Sequence, residues 1–561
     1  MAVSSAKPID LSLMDAVFEA FEGQEGALIP ILERAQELYG YLSLPIYQYV
    51  AERLNMPVGQ VYSAATFYAL FAKRPEEQNV VRVCRDPACA LHGADAVYEA
   101  GREALGDSVV SYSCLGHCHA GPVAMVDGFI VTDLTPESWT GEWPPAVDLN
   151  PVPILTPEPE RRLLARIGQI DPESLDDARA AGAYVALEQT LARRTPQQVI
   201  DEVTASGLQG RGGAGFPTGR KWAFTAAAEG EPKYIICNAD ESEPGTFKDR
   251  ALMEGDPHRI IEGMILAGYA VGAAHGIIYV RGEYLTAYHR LERALDQARA
   301  ANLLGEHILG SDFSFDIALH KGHGAYICGE ETALIESLEG KPGKPRIRPP
   351  YPPTYGLWGK PTVVNNVETL ANVPDILHLG AEAFRGTETK LYCLSGHVAR
   401  AGLIEARLGL TLREAIAAGG GMKDGRAFHF ALTGGAAGTF VGSEALDVPL
   451  TFTSAQTDGV SLGSGALLVA DESVQLIDIM QKVMAFFARE SCGHCFPCRY
   501  GTLRAAEILD RMAAGREEGG DWEFLQGTVE NLAVASFCGL GQGAAIPLRS
   551  GMQHLQKSVE A

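Results

Sequence analysis

The sequence predicts a multidomain α/β protein whose C-terminal part is a bundle of helices. Three observations carry this prediction. Strand-like apolar runs alternate with helical periodicity over much of the 561-residue chain, a length that suits three to five domains. A proline-rich stretch divides a small N-terminal α/β unit from a larger one. The stretch after residue 475 has helical periodicity, interrupted by closely spaced cysteines.

The first half of the chain predicts two small units and a linker. Residues 1–75 form a helical bundle, because apolar side chains from Leu28 to Tyr39 recur at helical spacing, and a short further helix runs from Met56 to Val61. Residues 76–140 form a small α/β unit. Its predicted elements are the strand Val80–Val83, the helix Ala94–Leu105, the strand Val109–Tyr112 and a hairpin of Pro122–Val126 and Phe129–Val131. Residues 141–160, rich in proline, form the linker.

The second half predicts three further units. Residues 161–387 form a large α/β domain, 388–475 a β-rich unit with one helix at Thr411–Ala417, and 476–561 a helical domain. The longest apolar stretch, Ile260–Val280, contains Glu262 and several glycines. It therefore indicates a buried helix followed by a strand and not a membrane span.

Composition narrows the class of protein. The chain has 46 basic and 70 acidic side chains, a net charge of −24, which argues against binding nucleic acid or an anionic membrane. The N-terminal stretch is acidic and has no secretory signal pattern. We therefore expect a cytoplasmic protein, in which disulfides are disfavoured and cysteine clusters bind metal.

Eight of the eleven cysteines form two quartets. One quartet consists of Cys492, Cys495, Cys498 and Cys538. Three closely spaced thiolates and one distant thiolate suit a [4Fe–4S] cubane, whereas structural zinc more usually shows two separated pairs. The other quartet consists of Cys84, Cys89, Cys114 and Cys118. Its two pairs suit the two irons of a [2Fe–2S] cluster, and zinc remains the alternative for both quartets.

The remaining cysteines and the nearby histidines have simpler interpretations. Three isolated cysteines are expected in the hydrophobic core, namely Cys237, Cys328 and Cys393. Three histidines near the first quartet are expected to be exposed loop residues, namely His92, His117 and His119.

A glycine-rich loop and three polar segments predict a cofactor crevice. The loop Gly210–Phe216 contains a formal G-x-G-x-x-G, but the helical run Pro196–Ala205 precedes it, so it is not a dinucleotide fingerprint. It can still bind a phosphate through backbone N–H groups and Lys221, although a structural turn explains it equally well. Polar residues after three predicted strands add to the crevice. These residues are Asn238–Gly245, Gly329–Glu331 and Asn365–Asn366.

Together these motifs resemble a known family. The segments Gly210–Trp222, Cys237–Arg250 and Gly324–Glu331, with the amides and the cubane quartet, closely resemble the NADH-oxidising, FMN-containing subunit of respiratory complex I. Residues 25–130 resemble its small partner subunit, a thioredoxin-like [2Fe–2S] domain behind a helical bundle. The fusion resembles the diaphorase subunits of soluble NAD-dependent formate dehydrogenases and NAD-reducing hydrogenases.

The resemblance implies a fold for each unit. Residues 76–140 would be the thioredoxin-like [2Fe–2S] domain and 161–387 a Rossmann-like domain that binds FMN and NADH. Residues 388–475 would be a β-grasp (ubiquitin-like) domain, and 476–561 a helical bundle that holds the [4Fe–4S] cluster.

The resemblance also implies site residues. FMN would be bound by Gly210, Gly212, Gly213, Gly215, Lys221, Asn238, Asp240, Glu241, Tyr326, Gly329, Asn365 and Asn366. NAD would be bound by Phe216, Phe224, Glu243, Glu330, Glu331, Arg348 and Tyr351. Glu243 would lie at the nicotinamide and act as the catalytic residue. A carboxylate at Glu331 would accept ribose hydroxyls and repel a 2′-phosphate, which predicts NAD over NADP.

The implied activity is hydride transfer between NAD(H) and FMN, followed by one-electron transfer through the [4Fe–4S] cluster. The [2Fe–2S] cluster is either an electron store or part of a branch. A separate catalytic subunit with further iron–sulfur clusters is required. We expect a molybdenum or tungsten formate dehydrogenase (formate + NAD⁺ = CO₂ + NADH), because fused chains with short Cys89–Cys114 spacing resemble that group.

Three alternatives remain from the sequence. The partner could be an NAD-reducing [NiFe] hydrogenase, or the assembly could be a complex I-like or electron-bifurcating NADH dehydrogenase. A different class of function, a zinc-stabilised scaffold that senses a nucleotide, is also open. Direct membrane insertion and nucleic-acid binding are not expected in any of these cases.

Overall fold

The computed structural model describes residues 9–78, 80–139 and 151–560. The first eight residues of the predicted bundle and residues 141–150 of the predicted linker lie outside this range. The chain opens with four helices: α1 (Asp15–Ala20), α2 (Leu28–Tyr39), α3 (Leu44–Arg53) and α4 (Val58–Phe67). The last helix runs past its predicted end at Val61, because Ala64 and Ala65 continue its buried face.

The next unit is a small α/β layer that carries the first quartet. Its elements are β1 (Val81–Cys84), α5 (Pro87–Leu91), α6 (Ala94–Leu105), β2 (Val109–Tyr112), β3 (Ala124–Val126) and β4 (Phe129–Val131). The sheet has the order β2-β1-β3-β4, with β1 and β2 parallel and β3 and β4 antiparallel to their neighbours. The predicted bounds of α6 and β2 are confirmed. Cysteines stand at or just beyond the carboxyl ends of β1 and β2, so parallel pairing brings them to one edge.

A parallel sheet forms the centre of the molecule. Its strands are β5 (Tyr234–Ala239), β6 (His275–Val280), β7 (Asp316–Lys321) and β8 (Thr362–Asn366), in the order β7-β6-β5-β8. The strands are parallel throughout, so their carboxyl ends share one edge. The helices around this sheet are α7 (Leu175–Ala180), α8 (Val185–Arg193), α9 (Pro196–Ser206), α10 (Thr218–Ala227), α11 (Lys248–Gly255), α12 (Pro257–Val271), α13 (Leu285–Ala300), α14 (Glu331–Leu338), α15 (Val367–Leu379) and α16 (Ala381–Thr387).

Three of the sequence predictions concern this region. The apolar stretch 260–280 is a buried helix and a strand, α12 and β6, as expected. The glycine loop does follow a helix, α9, and not a strand. The prediction that a strand leads into Gly329 is wrong, because Tyr326–Gly329 form a 3₁₀ turn between β7 and α14, in which Ile327 and Cys328 are buried. A short apolar run has no periodicity that separates a strand from a buried helical turn.

The β-rich unit is a five-stranded mixed sheet. Its elements are β9 (Thr389–Gly396), β10 (Gly402–Arg407), α17 (Leu412–Ala418), β11 (Phe428–Thr433), β12 (Thr439–Val441), α18 (Ser454–Thr457) and β13 (Ala466–Asp471). The order is β10-β9-β13-β11-β12, with β9 and β13 parallel at the centre. The predicted internal helix is confirmed to within one residue at each end, and a capping box at Thr411 and Glu414 begins it.

Helices complete the chain, with the second quartet at the ends of three of them. They are α19 (Leu476–Glu490), α20 (Phe496–Ala513), α21 (Asp521–Ala535) and α22 (Gly539–Glu560). Among the described residues, no helix combines the length and hydropathy that a membrane span requires.

The units share hydrophobic cores across the predicted boundaries. The core of α1–α4 is continuous with buried side chains of the parallel sheet, such as Ile236 and Val364. A second core joins the parallel sheet to the C-terminal helices and includes Cys498 and Cys538. We call α1–α4 and the small α/β layer together the N-terminal module, and its helices pack on the central domain. The domain boundaries given above remain predictions.

Candidate functional site

The glycine loop lies between α9 and α10 and is closed by its own backbone. The N–H of Gly210 donates to the carbonyl of Phe216 at 2.9 Å. Gly213 and Gly215 have φ values of 113° and 64°, which favour glycine. A Cβ on Gly215 would lie 2.8 Å from the ring of Phe452. The loop thus presents bare backbone, and a side chain at these positions would strain it.

The loop forms one wall of a cavity of about 770 Å³ at the carboxyl edge of the parallel sheet. The predicted site residues in its wall are Gly210, Gly212, Gly215, Phe216, Lys221, Phe224, Asn238, Gly329, Glu330, Glu331, Arg348, Tyr351, Asn365 and Asn366. Five predicted residues do not line it: Gly213, Asp240, Glu241, Glu243 and Tyr326. The structure therefore brings fourteen of the nineteen predicted residues into one space large enough for a nucleotide-sized ligand.

Aromatic rings stand at the mouth of the cavity. Phe216, Phe224 and Tyr351 are 42%, 46% and 56% exposed. Apolar rings of this size are normally buried, so three exposed rings around one opening indicate a surface for stacking a planar ligand. Arg220 lies over the ring of Phe224, with its guanidinium carbon 5.4 Å from the ring centroid.

The two adjacent carboxylates of α14 have different roles. One oxygen of Glu330 accepts the backbone N–H groups of Thr332 and Ala333 at 2.9 and 3.0 Å, so Glu330 is the N-cap of the helix. The other oxygen lies 3.4 Å from Arg348. Glu331 caps nothing and forms a short ion pair with Lys221, whose Nζ also donates to the carbonyl of Val364 at 3.0 Å. Glu331 is thus the carboxylate available to a ligand.

The amides at the end of β8 are fixed by neighbours. The oxygen of Asn365 accepts the indole N–H of Trp222 at 2.8 Å. The amide nitrogen of Asn366 donates to Asp249 at 2.7 Å, and its oxygen accepts the ammonium of Lys248 at 3.3 Å. Both side chains therefore keep one orientation in the cavity wall.

The acidic loop after β5 points its carboxylates into the protein. Glu241 accepts the backbone N–H groups of Asp249 and Arg250 at 2.8 and 3.0 Å, so it holds the first turn of α11. Asp240 accepts the hydroxyl of Ser242. Burial raises the pKa of Asp240 and of Glu241 to about 7. These contacts give both residues a structural part and leave flavin contact by either one a prediction.

Glu243 sits where three domains meet. One oxygen accepts the hydroxyl of Tyr326 and the other accepts the N–H of Ala437 at 2.9 Å. Burial raises the pKa of its carboxyl, while the Tyr326 hydroxyl acts in the opposite direction. Tyr326 in turn packs edge-on against Phe486 of α19, with centroids 4.9 Å apart. The carboxyl is therefore held between the acidic loop, the β-rich unit and the C-terminal helices.

The first quartet is brought together in a closed pocket. All four thiols are buried, and the Sγ atoms of Cys114 and Cys118 are 3.4 Å apart. Cys118 Sγ accepts the N–H of Gly245 at 3.2 Å, so the acidic loop of the central domain contacts this quartet directly. The nearby histidines are not exposed as predicted: His117 is buried, and His119 lies 5.1 Å from the ring of Phe247. Domain packing, which the sequence does not display, covers them.

The second quartet surrounds a small cavity at the ends of α19, α20 and α22, and all four of its cysteines line that cavity. Cys498 and Cys538 are buried, whereas Cys492 and Cys495 are partly exposed. His494 stacks on Phe537 at 4.7 Å and so links the two cysteine segments. The isolated cysteines 237, 328 and 393 are buried, in agreement with their prediction as core residues.

Sequence reasoning missed several wall residues, chiefly small or apolar ones. They are Ala214, Ala227, Ala228, Pro352, Pro353, Thr354, Val364, Thr369 and Gly539. No motif marks most of them. Gly539 is the exception, because it follows Cys538 directly and could have indicated that the cavity wall reaches the second quartet.

These features fit the groups that the quartets and the loop suggest. A bare-backbone cradle beside Lys221 suits a phosphate, stacking rings suit a nucleotide, and two groups of four thiols suit two iron–sulfur clusters.

Known protein families match four parts of the chain. A thioredoxin-like [2Fe-2S] ferredoxin matches residues 14–141 and a Nuo51 FMN-binding domain matches 203–375. An SLBB domain matches 391–436, and the NADH-ubiquinone oxidoreductase-F iron-sulfur binding region matches 478–561. The cofactors of this chain are accordingly FMN, NAD, one [2Fe–2S] cluster and one [4Fe–4S] cluster.

Individual proteins are similar to this chain over most of its length. An NADH-quinone oxidoreductase subunit of Rhizobium meliloti is 45% identical over 401 residues, which cover 70% of this chain and 95% of the relative. NADP-reducing hydrogenase subunit HndC of Solidesulfovibrio fructosivorans is also 45% identical over 401 residues, which cover 70% of this chain and 81% of the relative. A crystal structure of NAD⁺-reducing [NiFe]-hydrogenase in the H₂-reduced state aligns with a TM-score of 0.82 at 33% identity, over 96% of this chain and 92% of that chain.

Proposed function

We propose, from the premise that this chain belongs to the NADH-ubiquinone oxidoreductase-F family, that its large cavity binds FMN and NADH through the wall residues described above. The chain is an NADH-binding electron-transfer subunit of the NADH-quinone oxidoreductase and NAD-reducing hydrogenase type, with flavin and iron–sulfur cofactors. The observation that carries the assignment of residues is the convergence of the glycine loop, the stacking rings and Glu331 on one cavity beside Cys538.

Several wall residues have a specific part in this proposal. The glycine loop and Lys221 bind the FMN phosphate, and Asn365 and Asn366, locked by their own hydrogen bonds, orient the flavin ring. Phe216 and Phe224 stack on the adenine. Bound FMN would exchange a hydride with nicotinamide and pass electrons on singly.

Glu243 positions the reacting end of the dinucleotide. Its two oxygens are engaged by Tyr326 and Ala437, so the carboxyl cannot rotate freely. Burial raises the pKa of the Glu243 carboxyl, and both of its oxygens accept hydrogen bonds. Glu243 is therefore proposed as the catalytic residue, although it is not part of the cavity wall.

The cavity wall adjoins the second quartet. Gly539 lies in the cavity wall and directly follows Cys538 in the chain. Ile327, in the turn that leads to Gly329 of the cavity wall, lines the cluster pocket. A [4Fe–4S] cluster held by Cys492, Cys495, Cys498 and Cys538 would supply a one-electron acceptor next to the cavity.

The catalytic partner is proposed as a molybdenum- or tungsten-containing formate dehydrogenase subunit, so that the complex interconverts formate and CO₂ with NAD⁺ and NADH. The fused N-terminal module and the short spacing from Cys89 to Cys114 support this proposal. A [NiFe] hydrogenase partner is the second candidate, favoured by the similarity along nearly the whole chain to a NAD⁺-reducing [NiFe]-hydrogenase.

Native purification separates these proposals. The protein should be brown-yellow, bleach with NADH and reduce an artificial dye, whereas a colourless, zinc-containing protein would favour a scaffold. Metal analysis of the native complex then identifies the partner. Molybdenum or tungsten with formate-dependent reduction of NAD⁺ supports the formate assignment, and nickel with hydrogen-dependent reduction supports the alternative.

The choice of nucleotide can be tested at Glu331. Removing a carboxylate that faces the ribose should raise the NADPH rate relative to the NADH rate by about tenfold, since a 2′-phosphate is no longer repelled. The variant Glu331→Ala is compared with Glu330→Ala, which loses a helix cap and should cost about 1 kcal/mol of stability with a smaller change in preference. An unchanged rate ratio in Glu331→Ala would refute the assignment.

A further inference from the structure

The central domain supplies two buried arginines to the loop of the first quartet. Arg281, just after β6, donates from Nη2 to the carbonyl of Cys114 at 2.5 Å. Arg250, on α11, donates from Nε to the carbonyl of Gly116 at 3.2 Å. Both side chains are buried. The cysteine loop of one domain is therefore held by cations of another.

Arg281 also joins this loop to the acidic loop beside the cavity. Its Nη1 donates to the carbonyl of Glu241 at 2.7 Å. Its Nε donates to Glu283 at 3.1 Å, and Glu283 accepts the hydroxyl of Tyr112 on its other oxygen at 3.0 Å. The carboxylate thus lies on the Nε side of the guanidinium, and the Nη2 side faces Cys114.

Arg250 is buried, but only part of its guanidinium group has a hydrogen-bond or ion-pair partner among the described residues. Its Nη1 pairs with Glu254 at 3.1 Å. Its Nη2 is buried without a hydrogen-bond partner among the residues that the structure describes. An orphaned guanidinium nitrogen is costly unless a negative group lies near it, and Gly116, which Arg250 contacts, stands between Cys114 and Cys118 of the quartet.

We propose that Arg281, assisted by Arg250, raises the reduction potential of the [2Fe–2S] cluster, so that the central domain sets the electron affinity of a cluster held by another domain. Reduction adds one electron and no atoms to a site that already carries four thiolates, and no bond forms or breaks. Burial alone disfavours this extra negative charge. A fixed cation at the cysteine loop offsets that cost, and the guanidinium remains charged at any relevant pH.

The inference rests on the first quartet being the ligands of the [2Fe–2S] cluster, which the experiment tests separately. The full-length protein is titrated with dithionite and redox mediators, and the [2Fe–2S] EPR signal is followed. Absence of that signal from the wild-type protein would contradict the ligand assignment itself. If the signal is present, its midpoint potential measures the effect of the two arginines.

In Arg281→Met, the ratio of reduced to oxidised cluster at a fixed potential should fall about tenfold, which is about 59 mV for a one-electron couple. Arg281→Lys keeps the charge and should stay within about threefold of wild type. Arg250→Met should shift the ratio in the same direction by less, because Arg250 contacts the carbonyl of Gly116 at 3.2 Å, whereas Arg281 contacts that of the ligand residue Cys114 at 2.5 Å.

The control is Arg85→Met. Arg85 follows Cys84 in the chain, but its guanidinium lies over the ring of Tyr98 and pairs with Asp95 at 2.7 Å on the partly exposed side of the domain. It should leave the potential unchanged. An unshifted Arg281→Met, an equal shift in Arg85→Met, or an equal shift in Arg281→Lys would each overturn the proposal. If Arg281→Met does not assemble the cluster, an unshifted Arg250→Met overturns it.

Discussion

The two cysteine quartets each offer four sulfur atoms, but they differ in how far these atoms are buried. The first is enclosed between the N-terminal module and the central domain, with all four thiols buried and Gly245 donating to Cys118. The second lies at the ends of the C-terminal helices, with Cys492 and Cys495 partly exposed. Next to it, the stacked rings of Phe496 and Tyr500 are exposed to 64% and 43%. A fully buried site is suited to exchanging electrons within the chain, whereas a partly exposed site can exchange electrons with another protein.

The strongest test of this contrast removes one ligand from each quartet. Cys495→Ser should abolish the EPR signal of the reduced [4Fe–4S] cluster and electron transfer to the partner, while FMN stays bound, because the cavity wall is intact. Cys114→Ser should abolish only the [2Fe–2S] signal and leave most transfer to the partner. EPR, flavin content and NADH-driven reduction of the partner are measured.

The contrast would break in two ways. Full retention of the [4Fe–4S] signal in Cys495→Ser would contradict its ligand set. Complete loss of partner reduction in Cys114→Ser would place the fully buried cluster on the main route.

A smaller effect, on partner binding, is expected at the exposed rings of Phe496 and Tyr500 beside the second quartet. Tyr500→Asp places a charge in the exposed aromatic patch, and we expect partner binding to weaken about 30-fold, a typical loss for an aromatic anchor. Leu44→Asp is the matched control, since Leu44 is similarly exposed on the distant α3 helix. Dissociation constants are measured with the purified partner. Equal weakening by both substitutions, or by neither, would show that the patch is not the docking surface.

The smallest effect concerns an ion pair between α2 and the end of β7. Glu33 on α2 pairs with Lys321 at 2.8 Å and lies 3.5 Å from His323, across the seam between the module and the parallel sheet. Burial opposes ionisation of Glu33, but His323 and Lys321 outweigh it and lower its pKa to about 2. Because the folded-state pKa is depressed, the stabilisation is present above about pH 4.5 and is lost as the pH falls towards 2.

Glu33→Gln should therefore destabilise the protein by about 1–2 kcal/mol at pH 7, and the difference should begin to shrink below about pH 4.5. Urea unfolding at several pH values measures it. Glu37→Gln is the control, because Glu37 pairs only at the surface with Arg34. A difference that is independent of pH, or equal in the control, would assign the effect to something other than this seam pair.

Much of the fold could be predicted because its signals are local. The bounds of α6 and β2 are confirmed, since a strong helical period and a β-branched run specify each segment within its own residues. The turn at Tyr326–Gly329 shows the limit. Its apolar residues are buried in any case, and only packing against α14 and α19 decides that they form a 3₁₀ turn.

In the candidate site too, the sequence predicts which residue types are present, and the structure decides which contacts they make. The sequence predicts an acidic pair at Glu330 and Glu331, but not that one caps α14 while the other meets Lys221. It predicts Glu241 in the cavity, whereas the structure uses its carboxylate to hold the start of α11. A carboxylate has the same local appearance in each case, and its hydrogen-bond partners come from other segments.

The sequence by itself determined which atoms are available: two sets of four thiols at iron–sulfur spacing, a glycine-rich loop, and a set of aromatic and acidic residues suited to a nucleotide. Such chemistry is encoded by spacings of a few residues. The tertiary structure alone decided which quartet is fully buried, which carboxylate caps α14 and which cation faces Cys114. These outcomes depend on pairs such as Arg281 and Cys114, which lie far apart in the chain and meet only when the domains bury their shared surfaces.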